Sequence, residues 1–146
     1  MNKNNVKYPE FSVAMSVYKN DNAEWFDLAL ESVINQTVKP SEIVLVVDGA
    51  IPQRVCNVID KYIKICDLDG VLLKVIQLPQ NQGLGNALKI AIHNCEHEVI
   101  ARMDSDDIAV INRFEQQLNI MLRDPGIDIV GGDIQEFIDC LDNILS

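Results

Sequence analysis

Positive charge is scarce in this chain. Twelve Lys and Arg stand against twenty-two Asp and Glu in 146 residues, a formal charge of −10. A face that wraps nucleic acid or lies on an anionic membrane needs the opposite balance, so neither role is expected, and any anionic ligand requires a special arrangement. Long apolar runs are missing as well. None approaches the roughly eighteen residues of a membrane span, and the start, Met1-Asn2-Lys3-Asn4-Asn5, has no apolar stretch of the kind a signal peptide carries. A cytoplasmic protein is the expectation. The four cysteines, Cys56, Cys66, Cys95 and Cys140, form no C-x-x-C pair, and the nearest histidines, His93 and His97 beside Cys95, lack zinc-finger spacing. Reduced, buried thiols are expected in place of a metal or redox centre. No Gly-Lys-Ser/Thr marks a P-loop and no Gly-x-Gly-x-x-Gly follows the first apolar run, which removes most of the weight from ATPase and dehydrogenase readings.

What is present is an ordinary globular composition, 48% hydrophobic and 23% charged, in a chain long enough for a single core. Two periods alternate along it. Phe11 to Val17, Glu42 to Val47, Val71 to Leu78, Glu98 to Met103 and Ile127 to Ile134 are short and nearly continuous apolar runs, the pattern of parallel strands covered on both faces. Between them, Phe26, Ala29, Leu30, Val33 and Ile34 mark one face of a helix that starts near Asn22. The same spacing recurs in Val55, Ile59, Tyr62 and Ile63 after Pro52, in Leu84, Ala87, Leu88, Ala91 and Ile92, and in Ile111, Phe114, Leu118 and Met121. Strand-helix alternation predicts right-handed crossovers and an α/β fold, a mostly parallel open sheet with helices on both faces. Ligands of such sheets bind beyond the carboxyl ends of the strands. The loops there are rich in polar and acidic residues: Tyr18-Lys19-Asn20-Asp21, Asp48-Gly49-Ala50, Pro79-Gln80-Asn81-Gln82-Gly83 and Asp104-Ser105-Asp106-Asp107.

The last of these is the strongest signal. Three carboxylates in four residues repel one another, and a divalent cation relieves that repulsion. Oxygen-only ligands select a hard ion, and one or two carboxylates together with substrate phosphates are the usual holder of Mg²⁺ or Mn²⁺. If extended geometry persisted through Ser105, Asp104 and Asp106 would point the same way. The alternative is that Asp106 or Asp107 caps the helix ahead of Arg113. Asp48, before Gly49, is open to two readings, a turn stabiliser or an acceptor for a base or ribose. Tyr18 fits either a core position or a stacking platform for a nucleobase. Asn81 to Asn86 precedes a helix and could hold a phosphate on its backbone N–H groups or simply cap the helix.

In order and spacing the chain resembles the family-2 nucleotide-sugar glycosyltransferases, inverting enzymes with the Rossmann-like GT-A fold. The likeness is carried by Phe11-Ser12-Val13-Ala14-Met15-Ser16-Val17-Tyr18, Leu30 to Thr37, Glu42 to Gly49, Asn81-Gln82-Gly83-Leu84, Ala101 to Asp107, Arg113-Phe114-Glu115-Gln116-Gln117 and Ile129-Val130-Gly131-Gly132. It implies that Ser16, Val17, Tyr18 and Asp48 hold the base of a nucleoside-diphosphate sugar, usually uridine, and that Asn81 and Gly83 shape the donor pocket. It makes Asp104 and Asp106 the Asp-x-Asp element, with Asp106 the direct ligand of Mn²⁺ or Mg²⁺, Asp104 nearer the ribose or a bridging water, and Asp107 a weaker candidate. Arg102 and Arg113 stand at positions that approach donor phosphates, although Arg102 could equally pair with a neighbouring carboxylate. Leu88 departs from the Arg often found after the Asn-x-Gly-Leu element.

The acceptor implied is a glycan or a lipid-linked sugar, and the cation reconciles an acidic protein with an anionic donor. In the family the general base lies beyond the last run seen here, so residues 1–146 read as the donor-binding portion of a longer enzyme, with the acceptor half absent and the base expected beyond Ser146. Asp133 and Glu136 are the substitutes at hand, with exposed strand positions the plainer reading. Peripheral attachment at the inner face of the membrane is an open alternative for the longer enzyme, and a bare edge strand would favour homo-oligomers. Two rivals stand beside this reading. One is a non-catalytic nucleotide-binding module; the other is a phosphotransferase of the haloacid dehalogenase type, whose Asp-x-Asp motif follows the first strand.

Overall fold

The computed structural model describes residues 6–136. Cys140 and the segment from Phe137 onward lie outside them. Residues up to Glu115 form one compact unit, and those from Gln116 onward a second. The elements of the first unit alternate as the periodicity predicts: β1 (Phe11–Val17), α1 (Ala23–Ile34), β2 (Glu42–Val47), α2 (Gln53–Asp69), β3 (Leu72–Gln77), α3 (Leu84–His93) and β4 (Val99–Arg102), with α4 (Arg113–Arg123) beginning at its end. Asn22 caps α1 through its side-chain oxygen, which accepts from the N–H groups of Glu24 at 2.8 Å and Trp25 at 3.1 Å. Gly70 ends α2 in the left-handed conformation that glycine adopts without steric cost.

All strands are parallel, in the order β3-β2-β1-β4. Each residue of β1 and β2 is buried, so both faces of the central sheet are covered. α3 packs on β1 and β2, and Ala87 and Ala91 meet Ala14, Val44 and Val46 on that face. On the strand positions of opposite parity, the Phe11 ring meets Phe114 edge-on at 5.1 Å. α1 and α2 pack together, and the Tyr62 hydroxyl donates to the Asp27 carboxylate at 2.8 Å. Each fully buried Val, Leu, Ile or Phe in this core contributes on the order of 2 kcal/mol.

β3 and β4 depart from the expectation of strands covered on both faces. They are the edge strands, with a neighbour on one side only, and Leu72 and Val75 on β3 are exposed. The run Ile127 to Ile134 is not a strand. It has no partner among the described strands, Gly131 and Gly132 interrupt it, and Ile129 and Ile134 are almost fully exposed. A strand exists through its ladder, and an apolar run without one stays irregular. Asp133 and Glu136 are exposed as expected, but on irregular chain instead of a strand. Cys66 is buried and free, and burial pushes its thiol up to about 11; Cys56 and Cys95 are free and half-buried.

Register decides where the loops emerge. Val17, Val47 and Gln77 lie level across β1, β2 and β3, so Tyr18, Asp48 and Leu78 leave the sheet side by side. β4 ends earlier, with Arg102 opposite Ala14, and the Met103 N–H donates to Ala14 O at 3.1 Å. The chain steps outward from β1 to β2 to β3 and then returns to the other side of β1. The change of direction falls between β1 and β4, and a crevice at such a switch point is where open α/β sheets receive ligands.

Candidate functional site

Tyr18 and Asp104 follow the two strands that flank this switch point. Ser16 and Val17, the last two residues of β1, are buried, and Tyr18, just beyond, is 39% exposed. Its backbone is fixed by Asp21, whose carboxylate accepts from the Tyr18 N–H at 2.9 Å while the Asp21 N–H donates to Tyr18 O at 3.1 Å. The ring is therefore presented at the rim instead of being folded into the core.

Asp48 is buried, and its carboxylate is committed to the neighbouring loop. Oδ1 accepts from the Gln82 N–H at 2.7 Å, and Oδ2 accepts from the Gly83 N–H at 3.0 Å and from Asn81 Nδ2 at 3.1 Å. Of the two readings of Asp48, turn stabilisation is what the geometry displays. The same bonds commit two N–H groups of the Asn81 to Asn86 loop, those of Gln82 and Gly83, to a carboxylate. Gln77 adds a bond from Nε2 to Gly49 O at 2.8 Å. The two loops approach so closely that a Cβ on Gly49, whose φ is +87°, would lie 2.7 Å from the Asn81 nitrogen.

Gly49→Ala should therefore cost about 2–3 kcal/mol of stability from backbone strain and clash. Gly85→Ala, in α3 with open space around it, should gain about 0.5–1 kcal/mol. Urea unfolding of both variants checks the pair, and equal effects would contradict the close approach.

β4 ends at Arg102, and Ser105-Asp106 form a turn. Extended geometry does not persist through Ser105, so strand alternation does not aim Asp104 and Asp106 together. The capping alternative also fails, since α4 begins at Arg113, six positions beyond Asp107. Arg102 Nη2 donates to Asp104 Oδ1 at 2.7 Å, the neighbouring-carboxylate pairing. Arg113 reaches back to donate from Nη2 to Arg102 O at 2.9 Å. Although Asp107 is exposed, partial desolvation pushes its carboxyl above its ordinary value, the charges of Asp104 and Asp106 push it further, and Arg102 and Arg113 oppose them. Burial pulls the Arg113 guanidinium below its ordinary value against the attraction of Asp107 and Asp104. The structure thus brings Asp104, Asp106, Asp107, Arg102 and Arg113 into one interacting group. Among the described residues no three His, Cys, Asp or Glu side chains form a ready-made metal cage. The donor set fits the other arrangement, a hard cation held by one or two carboxylates with the remaining positions left to a ligand's oxygens.

The family model described as glycosyl transferase family 2 matches residues 12–144. The chain belongs to that family. A Haemophilus influenzae protein named as an uncharacterized glycosyltransferase is 38% identical over 88% of this chain and 46% of its own length. An Escherichia coli protein named UDP-Gal:alpha-D-GlcNAc-diphosphoundecaprenol beta-1,3-galactosyltransferase is 34% identical over 88% of this chain and 45% of its own length. Among solved structures, S. aureus TarS 1-349 in complex with UDP superposes with a TM-score of 0.65 at 27% identity, over 79% of this chain and 32% of that one. The fold is accordingly the GT-A fold. The chain spans about half the length of the curated relatives it matches. Family-2 membership displaces the haloacid dehalogenase reading, as does the position of the acidic motif after β4 instead of β1.

Reading the motifs alone missed Gln36 and Ser32 as contributors to this region. Both donate or accept hydrogen bonds across more than seventy residues of sequence. A signal was available: Gln36 falls where the helical stripe of Phe26, Ala29, Leu30 and Val33 places its next core position, and a polar residue there needs a buried partner.

Proposed function

We propose that this chain binds the nucleoside diphosphate of a sugar donor, a UDP-sugar, at the carboxyl ends of β1, β2 and β4, as the donor-binding portion of an inverting glycosyltransferase. The observation that carries this reading is the Asp104-Ser105-Asp106-Asp107 group standing at the β1/β4 switch point with two arginines beside it. Tyr18 offers its ring to the base, with Ser16 and Val17 beneath it. Asp48 acts chiefly by fixing Asn81 and Gly83 as a wall, while Oδ1, which accepts a single hydrogen bond, keeps capacity for one further donor.

Asp106 and Asp104 would hold Mn²⁺ or Mg²⁺, with Asp107 in reserve. Such a cation, when bound, offsets the charge that grows on the departing diphosphate. Arg113, held against the end of β4, adds a second positive group on the same side. In the reaction, an acceptor hydroxyl on a glycan or lipid-linked sugar attacks the anomeric carbon opposite the nucleoside diphosphate, the glycosidic bond forms as the bond from the anomeric carbon to the diphosphate oxygen breaks, the nucleoside diphosphate leaves with that electron pair, and the hydroxyl proton passes to a general base. That base and the acceptor site are assigned to sequence that the relatives have and this chain does not span. We place the longer enzyme in the cytoplasm, with peripheral attachment at the inner membrane face as the alternative; no described helix is long and apolar enough to cross a membrane.

Titration calorimetry with UDP, with and without Mn²⁺, tests the reading. Binding at micromolar concentrations with Mn²⁺ and a large loss of affinity without it are expected, with little or no sugar transfer by this chain. No binding in either arm would refute the donor site, and equal binding in both would refute the cation. Efficient transfer by this chain would place the general base within it.

A further inference from the structure

The segment between the acidic group and α4 has no regular structure of its own from Asp107 to Val110 and only a turn at Ile111 and Asn112. Its conformation is set instead from the far end of α1. The Gln36 side chain is 3% exposed. Its Nε2 donates to Val110 O at 2.7 Å and to Ser32 O at 3.0 Å, and its Oε1 accepts from the Phe114 N–H at 3.1 Å. Ser32 Oγ accepts from the Ala109 N–H at 3.0 Å, and the Thr37 N–H donates to Ile111 O at 2.9 Å. One carboxamide thus satisfies both a carbonyl of the connecting segment and an N–H in the first turn of α4, groups that would otherwise be orphaned.

We propose that Gln36, assisted by Ser32, is a positioning residue for the donor site: its buried carboxamide fixes the connection from Asp107 to Arg113 and thereby the places of the acidic group and of the Arg113 guanidinium. The inference rests on the donor-binding reading above. Gln36 touches no ligand in this scheme. It acts because carboxylates on a four-residue loop can share a cation only if both ends of that loop are held, and β4 holds one end while α1 holds the other. A displacement of about 1 Å in such a group is enough to cost affinity or rate by one to two orders of magnitude.

Gln36→Met keeps length and apolar volume and removes the donor and the acceptor together. On the full chain, calorimetry with UDP and Mn²⁺ should show affinity falling about tenfold or more, and hydrogen exchange without ligand should show the Phe114 amide losing protection while the amides of β1 and β2 keep theirs. Ser32→Ala, which removes the bond to Ala109 together with a local bond from Ser32 Oγ to Ala29 O within α1, should lose affinity several-fold and guards against a Gln36→Met chain that does not fold. Tyr62→Phe, which breaks the α1–α2 hydrogen bond to Asp27 away from the acidic loop, should destabilise the protein and leave UDP affinity unchanged. Wild-type affinity in Gln36→Met and Ser32→Ala, or an equal loss in Tyr62→Phe, would overturn the Gln36 role alone. A wild-type chain that fails to bind UDP with Mn²⁺ would overturn the donor reading and the Gln36 role together.

Discussion

Asp106→Ala is expected to weaken Mn²⁺-dependent UDP binding on the order of a hundredfold or more, about 2.7 kcal/mol, without weakening the fold. Asp106 is exposed in a turn, and surface substitutions of that kind change stability by no more than about 0.5 kcal/mol. The direction of any change should be upward. Asp106 is one of the charges that raise the Asp107 carboxyl above its ordinary value, so the ionised group is disfavoured in the folded chain at neutral pH, and removing Asp106 relieves it. Melting temperature and affinity should therefore move apart, the signature of a group kept for binding at the expense of stability. Asp104→Asn should weaken binding too, but it also breaks the ion pair with Arg102, so its effects mix. Calorimetry and thermal melts of Asp106→Ala decide the matter: an affinity equal to wild type would remove Asp106 from the cation site.

Glu42→Ala is expected to cost about 2–4 kcal/mol of stability, the largest loss from any single side chain discussed here. Glu42 opens β2 at the edge opposite the acidic loops and is 1% exposed. Its Oε1 accepts from Ser12 Oγ at 2.5 Å and from the Glu96 N–H at 2.5 Å, and its Oε2 faces Lys74 Nζ at 3.6 Å with no hydrogen bond. One carboxylate thus joins β1, β2, β3 and the turn that leads into β4. Burial pushes the Glu42 carboxyl upward, but the Ser12 hydroxyl, the Glu96 N–H, Lys74 and His97 together hold it below its ordinary 4.5. A carboxyl depressed in the folded state adds stability that is complete above its unfolded value and is lost as pH falls through the folded one. The wild-type advantage over Glu42→Gln, measured by urea midpoints, should hold at pH 7 and shrink below about pH 4.5. A constant difference down to pH 3 would show that the charge of Glu42 does not stabilise the fold.

The elements were legible because each carries its own period. The stripe Phe26, Ala29, Leu30 and Val33 with Asn22 ahead of it specifies α1 locally, and the short, mostly apolar runs of β1 and β2 suit strands covered on both faces. Strand order was not legible, since placing β4 beside β1 depends on pairings such as Ser12 with Ile100 that no local pattern encodes. The failed strand from Ile127 to Ile134 has the same cause in reverse: an apolar run shows capacity for pairing, and only a partner realises it. At the site, the acidic motif and Tyr18 could be found by residue type. The commitment of Asp48 to Gln82 and Gly83, and of Gln36 to Val110, spans 34 to 74 positions and emerges only when the loops are brought together.

The closure of Asp48 on the loop after β3 bears on the thermodynamics of any ligand that enters here. With three donors already seated on one carboxylate, that side of the crevice is preorganised, and a guest loses little conformational entropy in meeting it. The enthalpy of binding should then report mainly on the opposite bank, where charges wait to be neutralised, so calorimetric signatures of different nucleotides should differ more through their phosphates than through their bases.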